Sequence, residues 1–139
     1  MPVRVKLRIE SKTRETVEVP ALINTGYTTE EAEVLVPLSV AETLNLKSET
    51  YKESRLEDYS TVSGRVRLTY IPAAVDVSVL TEDRRVGPVQ AHVTISAAES
   101  EVLINDRLAD ELKISIIRAG VGEWRFIDDD PEKVRRSIR

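Results

Sequence analysis

The most regular pattern in the chain is at its start, where Val3, Val5, Leu7 and Ile9 alternate with Arg4, Lys6, Arg8 and Glu10. A period of two puts the two sets on opposite faces, which predicts a half-buried β-strand. Ser11 to Glu15 is a polar turn, and Thr16 to Ile23 predicts a second strand that completes a hairpin. The second strand ends in Ala21-Leu22-Ile23, apolar at consecutive positions, so cover is expected on both faces there. Asn24-Thr25-Gly26 then breaks the strand. Tyr27 to Glu33 is polar and loop-like, Val34 to Val36 is a short apolar strand, and Pro37 suits the first turn of a helix carrying Leu38, Ala41 and Leu44. Asn45 is placed to stop that helix.

The middle of the chain is rich in strand patterns. Tyr51 to Leu56 predicts a strand, and Asp58 to Gly64 holds the turn residues of a hairpin tip. Val66, Leu68 and Tyr70 alternate with arginine and threonine, then Val75, Val77 and Val79 alternate again. Thr81 to Pro88 is a charged turn, and Val89, Ala91, Val93 and Ile95 predict another strand. Val102 to Ile104 is a buried strand ending at Asn105, which can cap a helix containing Leu108 and Leu112. Ile114 to Ile117 and Trp124 to Ile127 are the last apolar segments, and residues 128–139 form a solvated, charged tail after a single domain at 1–127. An internal echo stands out: Ala21-Leu22-Ile23-Asn24 and Val102-Leu103-Ile104-Asn105 are both apolar strands that stop at asparagine, with a helix after each. The mostly β chain therefore looks like an approximate duplication.

Composition narrows the classes. The chain has 139 residues, 41% hydrophobic and 32% charged, which suits one folded domain. The net charge of −4, from 24 acidic and 20 basic side chains intermixed, does not make the basic stripe that nucleic acid requires. Cysteine is absent, which excludes thiol catalysis and thiolate metal sites. The alternating N-terminus lacks the apolar stretch of a signal peptide, and no run is long enough to cross a bilayer, so a cytoplasmic protein is expected.

The segment Ala21-Leu22-Ile23-Asn24-Thr25-Gly26, followed by Val34-Leu35-Val36-Pro37 and Val40-Ala41-Glu42-Thr43-Leu44, resembles the retropepsin-like aspartic peptidases. Their pattern is an apolar strand, Asp-Thr-Gly, a short loop, a second apolar strand and a helix. Glu101 to Ile104 and the helix after it are similar to the family's second motif, so the resemblance runs from Val3 to about Ile117. It implies an acid-protease fold: mostly β, a closed barrel-like domain with one or two short helices, assembled as a two-fold homodimer. It also implies an aspartic endopeptidase in which each subunit lends one carboxyl to a shared dyad. Two carboxyls that close share one proton, because like charges cannot both ionise. The ionised member takes a proton from water while the other polarises the scissile carbonyl. Thr25 would hold the partner subunit's loop in register, and Gly26 would let the two backbones approach. A β-hairpin would close over an extended peptide, with Tyr27 and the tip residues Ser60, Thr61, Val62, Ser63 and Gly64 against the substrate.

The chain departs from that pattern at the position that matters most. Asn24 stands where the family carries its catalytic aspartate, and an amide can neither take a proton from water nor share one. Two origins fit: an inactivating Asp-to-Asn substitution in a functional lineage, or a natural pseudo-peptidase that binds extended peptides or a partner protein. The intact Thr25, Gly26 and flanks favour the first. Tyr27 replaces a small residue and narrows the cleft, and Asn105 replaces the glycine of the second motif, which changes the backbone demand there.

Other polar groups read as ordinary structure. His92 alternates with Gln90 and Thr94 on the polar side of its strand, and a lone histidine cannot build a zinc site. Asp128-Asp129-Asp130 reads as solvated tail rather than a cation site, Ser39, Ser60 and Ser63 have no triad partners, and there is no glycine-rich phosphate loop. No cofactor or metal is expected. Trp124 and Phe126 serve either the core or the dimer interface.

Overall fold

In the computed structural model, which describes residues 2–47, 50–61 and 64–139, the alternation at the N-terminus becomes β1 (Arg4–Ser11), with Val5, Leu7 and Ile9 buried. It pairs antiparallel with β2 (Thr16–Ile23), Arg4 opposite Leu22 and Glu10 opposite Thr16. Ala21 and Ile23 are buried and Leu22 is half-buried, so cover at the end of β2 is heavier on one face.

β3 (Glu33–Pro37) runs into α1 (Leu38–Thr43), with Pro37 as the helix N-cap rather than its first turn. β4 (Arg55–Thr61) and β5 (Gly64–Leu80) form a long hairpin, and β6 (Arg85–Ser96) returns along β5. β7 (Val102–Ile104) leads into α2 (Asp106–Glu111). The hydrogen-bonded order is β1-β2-β7-β3-β6-β5-β4, and β5 also pairs with β1, placing Leu7 opposite Val79. That last pairing closes six of the strands into a barrel, which leaves those strands without free edges. Leu7, Ile9, Val34, Val36, Ile71, Val77 and Ile104 fill its core. β4 is the remaining strand of the sheet and lies outside the closed ring, bonded to β5 alone.

Several expectations are corrected. Tyr51 is not in a strand: β4 begins at Arg55, and Tyr51 is buried in a turn where its hydroxyl accepts a bond from the Lys12 amide at 3.1 Å. Asp58 to Thr61 continue β4 instead of forming the tip, and Val62 and Ser63 lie outside the described residues. The two valine-rich patterns read separately are one strand, β5, interrupted by a bulge between Ile71 and Val75. Pro72 cannot donate to a ladder and Ala73 takes φ +48°, so the interruption falls where pairing is weakest. The charged turn is shorter than expected, because β6 starts at Arg85.

A second sheet follows the barrel: β8 (Ile114–Arg118), β9 (Glu123–Phe126) and β10 (Arg135–Arg136). Trp124 and Phe126 pack edge to face with ring centres 4.9 Å apart and are buried by their own chain, so their side chains serve its core. The segment read as a solvated tail is exposed along much of its length but tied down. Arg135 pairs with Asp83 and Asp129, Arg84 pairs with Asp128 and Asp129, and the Ile138 amide donates to the Arg4 carbonyl at 3.0 Å. Arg135 hydrogen bonds hold the carboxyls of Asp83 and Asp129 well below the usual range, and a hydrogen bond from Arg84 lowers that of Asp128. Among the described residues no helix is long and apolar enough to cross a membrane, and no group of His, Asp and Glu is arranged to hold a metal.

Candidate functional site

The internal echo of the sequence is a pairing in space. Ala21, Leu22 and Ile23 of β2 lie beside Val102, Leu103 and Ile104 of β7, parallel and in register. The Asn24 amide extends the ladder by one bond, donating to the Ile104 carbonyl at 3.0 Å. Asn24 and Asn105 thus leave adjacent strands side by side, and from there they diverge.

Asn24 turns outward. Its Oδ1 accepts from the Gly26 amide at 3.0 Å, and its carbonyl accepts from the Tyr27 amide at 3.0 Å. This side-chain-closed turn is what asparagine and aspartate are suited to, and an aspartate carboxylate could accept the same bond. Thr25 and Gly26 are exposed and Asn24 is half-exposed. A Cβ on Gly26 would meet only Asn24 Oδ1, at 3.4 Å, and its φ is not positive, so the chain's own fold does not demand glycine here.

Asn105 turns inward and is fully buried. Its Oδ1 accepts from the Glu33 and Leu108 amides, both at 3.0 Å, and the second bond is the N-cap of α2. Its Nδ2 donates to Thr29 Oγ1 at 2.7 Å and to the Glu31 carbonyl at 2.9 Å. The amide's donors and acceptor are all used. Asn105 adopts φ −85°, a conformation with no need for glycine, and its side chain brackets the 27–33 loop.

The residue that pattern reading left in a polar loop, Glu33, is the first residue of β3 and is buried at 3% exposure. One oxygen of its carboxyl, Oε2, accepts from Tyr27 Oη, from Tyr59 Oη at 3.1 Å and from Thr94 Oγ1 at 2.8 Å. Tyr59 Oη and Thr94 Oγ1 also lie 2.9 Å apart, so their two hydroxyl protons are shared over three contacts and one of them is bifurcated. Burial, then the nearby Glu33 carboxyl, push the Tyr27 hydroxyl well above its ordinary phenol range. Burial does the same to Tyr59. Tyr27 belongs to the Asn24 turn and Tyr59 to β4, so the hairpin and the turn meet at one atom. Tyr59 shares a hairpin face with Val66 and Tyr70, while Ser60 lies on the other face opposite Arg65. The only signal for Glu33 in the sequence was an acid directly preceding Val34-Leu35-Val36, and that is weak.

His92 is not the surface residue its alternation suggested. Its Nδ1 accepts from the Ala73 amide at 2.9 Å, satisfying a donor freed by the β5 bulge, and its Nε2 faces Glu31 Oε2 at 3.1 Å. A ring nitrogen that accepts is unprotonated, so the proton of the neutral ring sits on Nε2. The Asp128–Asp130 run is engaged with Arg84, Lys113 and Arg135. A cleft lined by Glu30, Glu31, Gln90, His92, Arg107 and Glu111 lies across the 27–33 loop, apart from Asn24. No protein-family model matches this chain, and neither does any curated protein.

Proposed function

We propose that this chain is one subunit of a two-fold, retropepsin-like aspartic peptidase, silenced by Asn24 at the position of the catalytic carboxyl. The observation that carries the reading is the in-register parallel pairing of Ala21–Ile23 with Val102–Ile104, which delivers Asn24 into an exposed turn closed by its own side chain. An aspartate could keep that turn and add a titratable group. Exposed Thr25 and Gly26 leave room for a second copy, and Gly26, which the lone chain does not require, fits a backbone approach across a two-fold axis. The β4–β5 hairpin, whose strand β4 lies outside the closed ring, fits a flap over an extended peptide.

The neutral amide at Asn24 favours a second reading in the same fold, a non-catalytic subunit that grips extended peptides or a partner protein. Peptide hydrolysis across pH separates the two. Asn24→Asp cuts peptides with an acid-favoured profile, at least ~100-fold above the parent chain, and a transition-state-mimicking inhibitor blocks it. A folded, dimeric Asn24→Asp protein that binds peptide without turnover assigns the chain to the second reading.

A further inference from the structure

We propose that Glu33 is the positioning residue of the Asn24 site, holding the β4–β5 hairpin and the Asn24 turn to a single carboxyl oxygen. The inference deepens the reading above and rests on it for the identity of the site, while its geometry stands independently. Glu33 takes part in none of the ion pairs among the described residues, and acids such as Glu31, Asp83 and Asp129 supply those instead. A buried carboxyl without a cation is tolerated only when hydroxyl or amide donors surround it. Here the donors come from separate parts of the chain: Tyr27 from the turn, Thr94 from β6 and Tyr59 from the strand outside the barrel.

The backbone of Glu33 is equally constrained. Its amide donates to Asn105 Oδ1 at 3.0 Å and its carbonyl accepts from the Asn105 amide at 3.2 Å, so the carboxyl cannot follow a moving hairpin. The backbone of β4 pairs with β5 alone, and among the described residues Tyr59 is the β4 side chain whose hydrogen bonds reach beyond β5, to Glu33 and Thr94. When the hairpin swings out, Tyr59 leaves Glu33 while Tyr27 stays. Tyr59 on Glu33 therefore sets how far the outer part of the hairpin stands from the turn. Glu33 touches no reacting atom, so its action falls on how tightly an extended peptide is held.

The chain has no cysteine, so Ser60→Cys with Glu111→Cys gives a clean pair of label sites for spin-label distance measurement, diluted with unlabelled chain to isolate intramolecular distances. Tyr59→Phe removes one hydroxyl and little else. The expected result is a longer, broader distance distribution, with the open-to-closed ratio up by ~10-fold. Glu33→Gln keeps an acceptor and gives a smaller shift in the same direction, and Tyr27→Phe leaves the distribution as in the parent. In an Asn24→Asp background Tyr59→Phe raises KM by ~10-fold with kcat within about twofold. An unchanged distribution in folded Tyr59→Phe protein overturns the proposal whatever the peptidase assay shows, and so does a fall in kcat without a rise in KM. A silent Asn24→Asp protein counts against the proposed function alone, because the label distances still decide the role of Glu33.

Discussion

Truncating Asn105 to alanine removes an amide that makes four hydrogen bonds from a position with no solvent exposure. The consequences separate by partner. Loss of the Leu108 bond is the loss of a helix N-cap, about 1 kcal/mol. The Glu33 amide is left buried without an acceptor, at roughly 1–3 kcal/mol. Thr29 and the Glu31 carbonyl lie in a loop next to solvent and can be rehydrated, so they add only a few tenths of a kcal/mol each by the same reasoning. The sum is about 3 kcal/mol. Asn24→Ala, at the equivalent position on the neighbouring strand, loses a single bond to an exposed amide and should cost about 0.5 kcal/mol. Urea unfolding at one fixed protomer concentration, followed by the fluorescence of the buried Trp124, measures both. An Asn105→Ala loss below about 1 kcal/mol, or one equal to that of Asn24→Ala, would refute the claim that the two asparagines diverge in role.

Three further outcomes follow from particular contacts. Gly87 has φ +122°, and a Cβ there would lie 2.7 Å from the Val77 carbonyl oxygen, so Gly87→Ala should lower stability by roughly 2 kcal/mol or more in the same unfolding assay. Asp129 has its folded value depressed by Arg135, so the unfolded chain takes up its proton first as pH falls. Its contribution is complete above the unfolded value of ~3.9 and declines below it, so the melting temperatures of parent and Asp129→Asn should differ most at neutral pH and converge in acid. His92→Phe should loosen the β5 bulge by leaving the Ala73 amide without its acceptor, seen as faster hydrogen exchange at that amide with β1 unaffected.

Much of the architecture was legible because strand faces announce themselves. The alternation of Val3 to Ile9 and the apolar end of β2 needed only the two-residue period and the composition of their neighbours. The helix cap at Asn105 was legible for the same local reason, a short polar acceptor ahead of a helical repeat. Glu33 and His92 were misread because their partners lie elsewhere in the fold: Glu33 meets Tyr59 and Thr94, and His92 meets Ala73, while the exposed 128–139 segment is tied down in the same non-local way, with Arg135 meeting Asp83. A polar residue in a loop looks the same in sequence whether it faces water or a distant hydroxyl.

The amino-acid sequence by itself determined that the chain is mostly β, that two similar apolar strands end at asparagine, and that the side chain between Ile23 and Thr25 is a neutral amide. These follow from side-chain period and chemical identity, which are local. Only the tertiary structure decided that the two strands lie parallel and in register, that one asparagine faces out and the other in, and that hairpin and turn converge on Glu33. Closing β5 onto β1 is a non-local choice, and it determines which side chains meet at the barrel end.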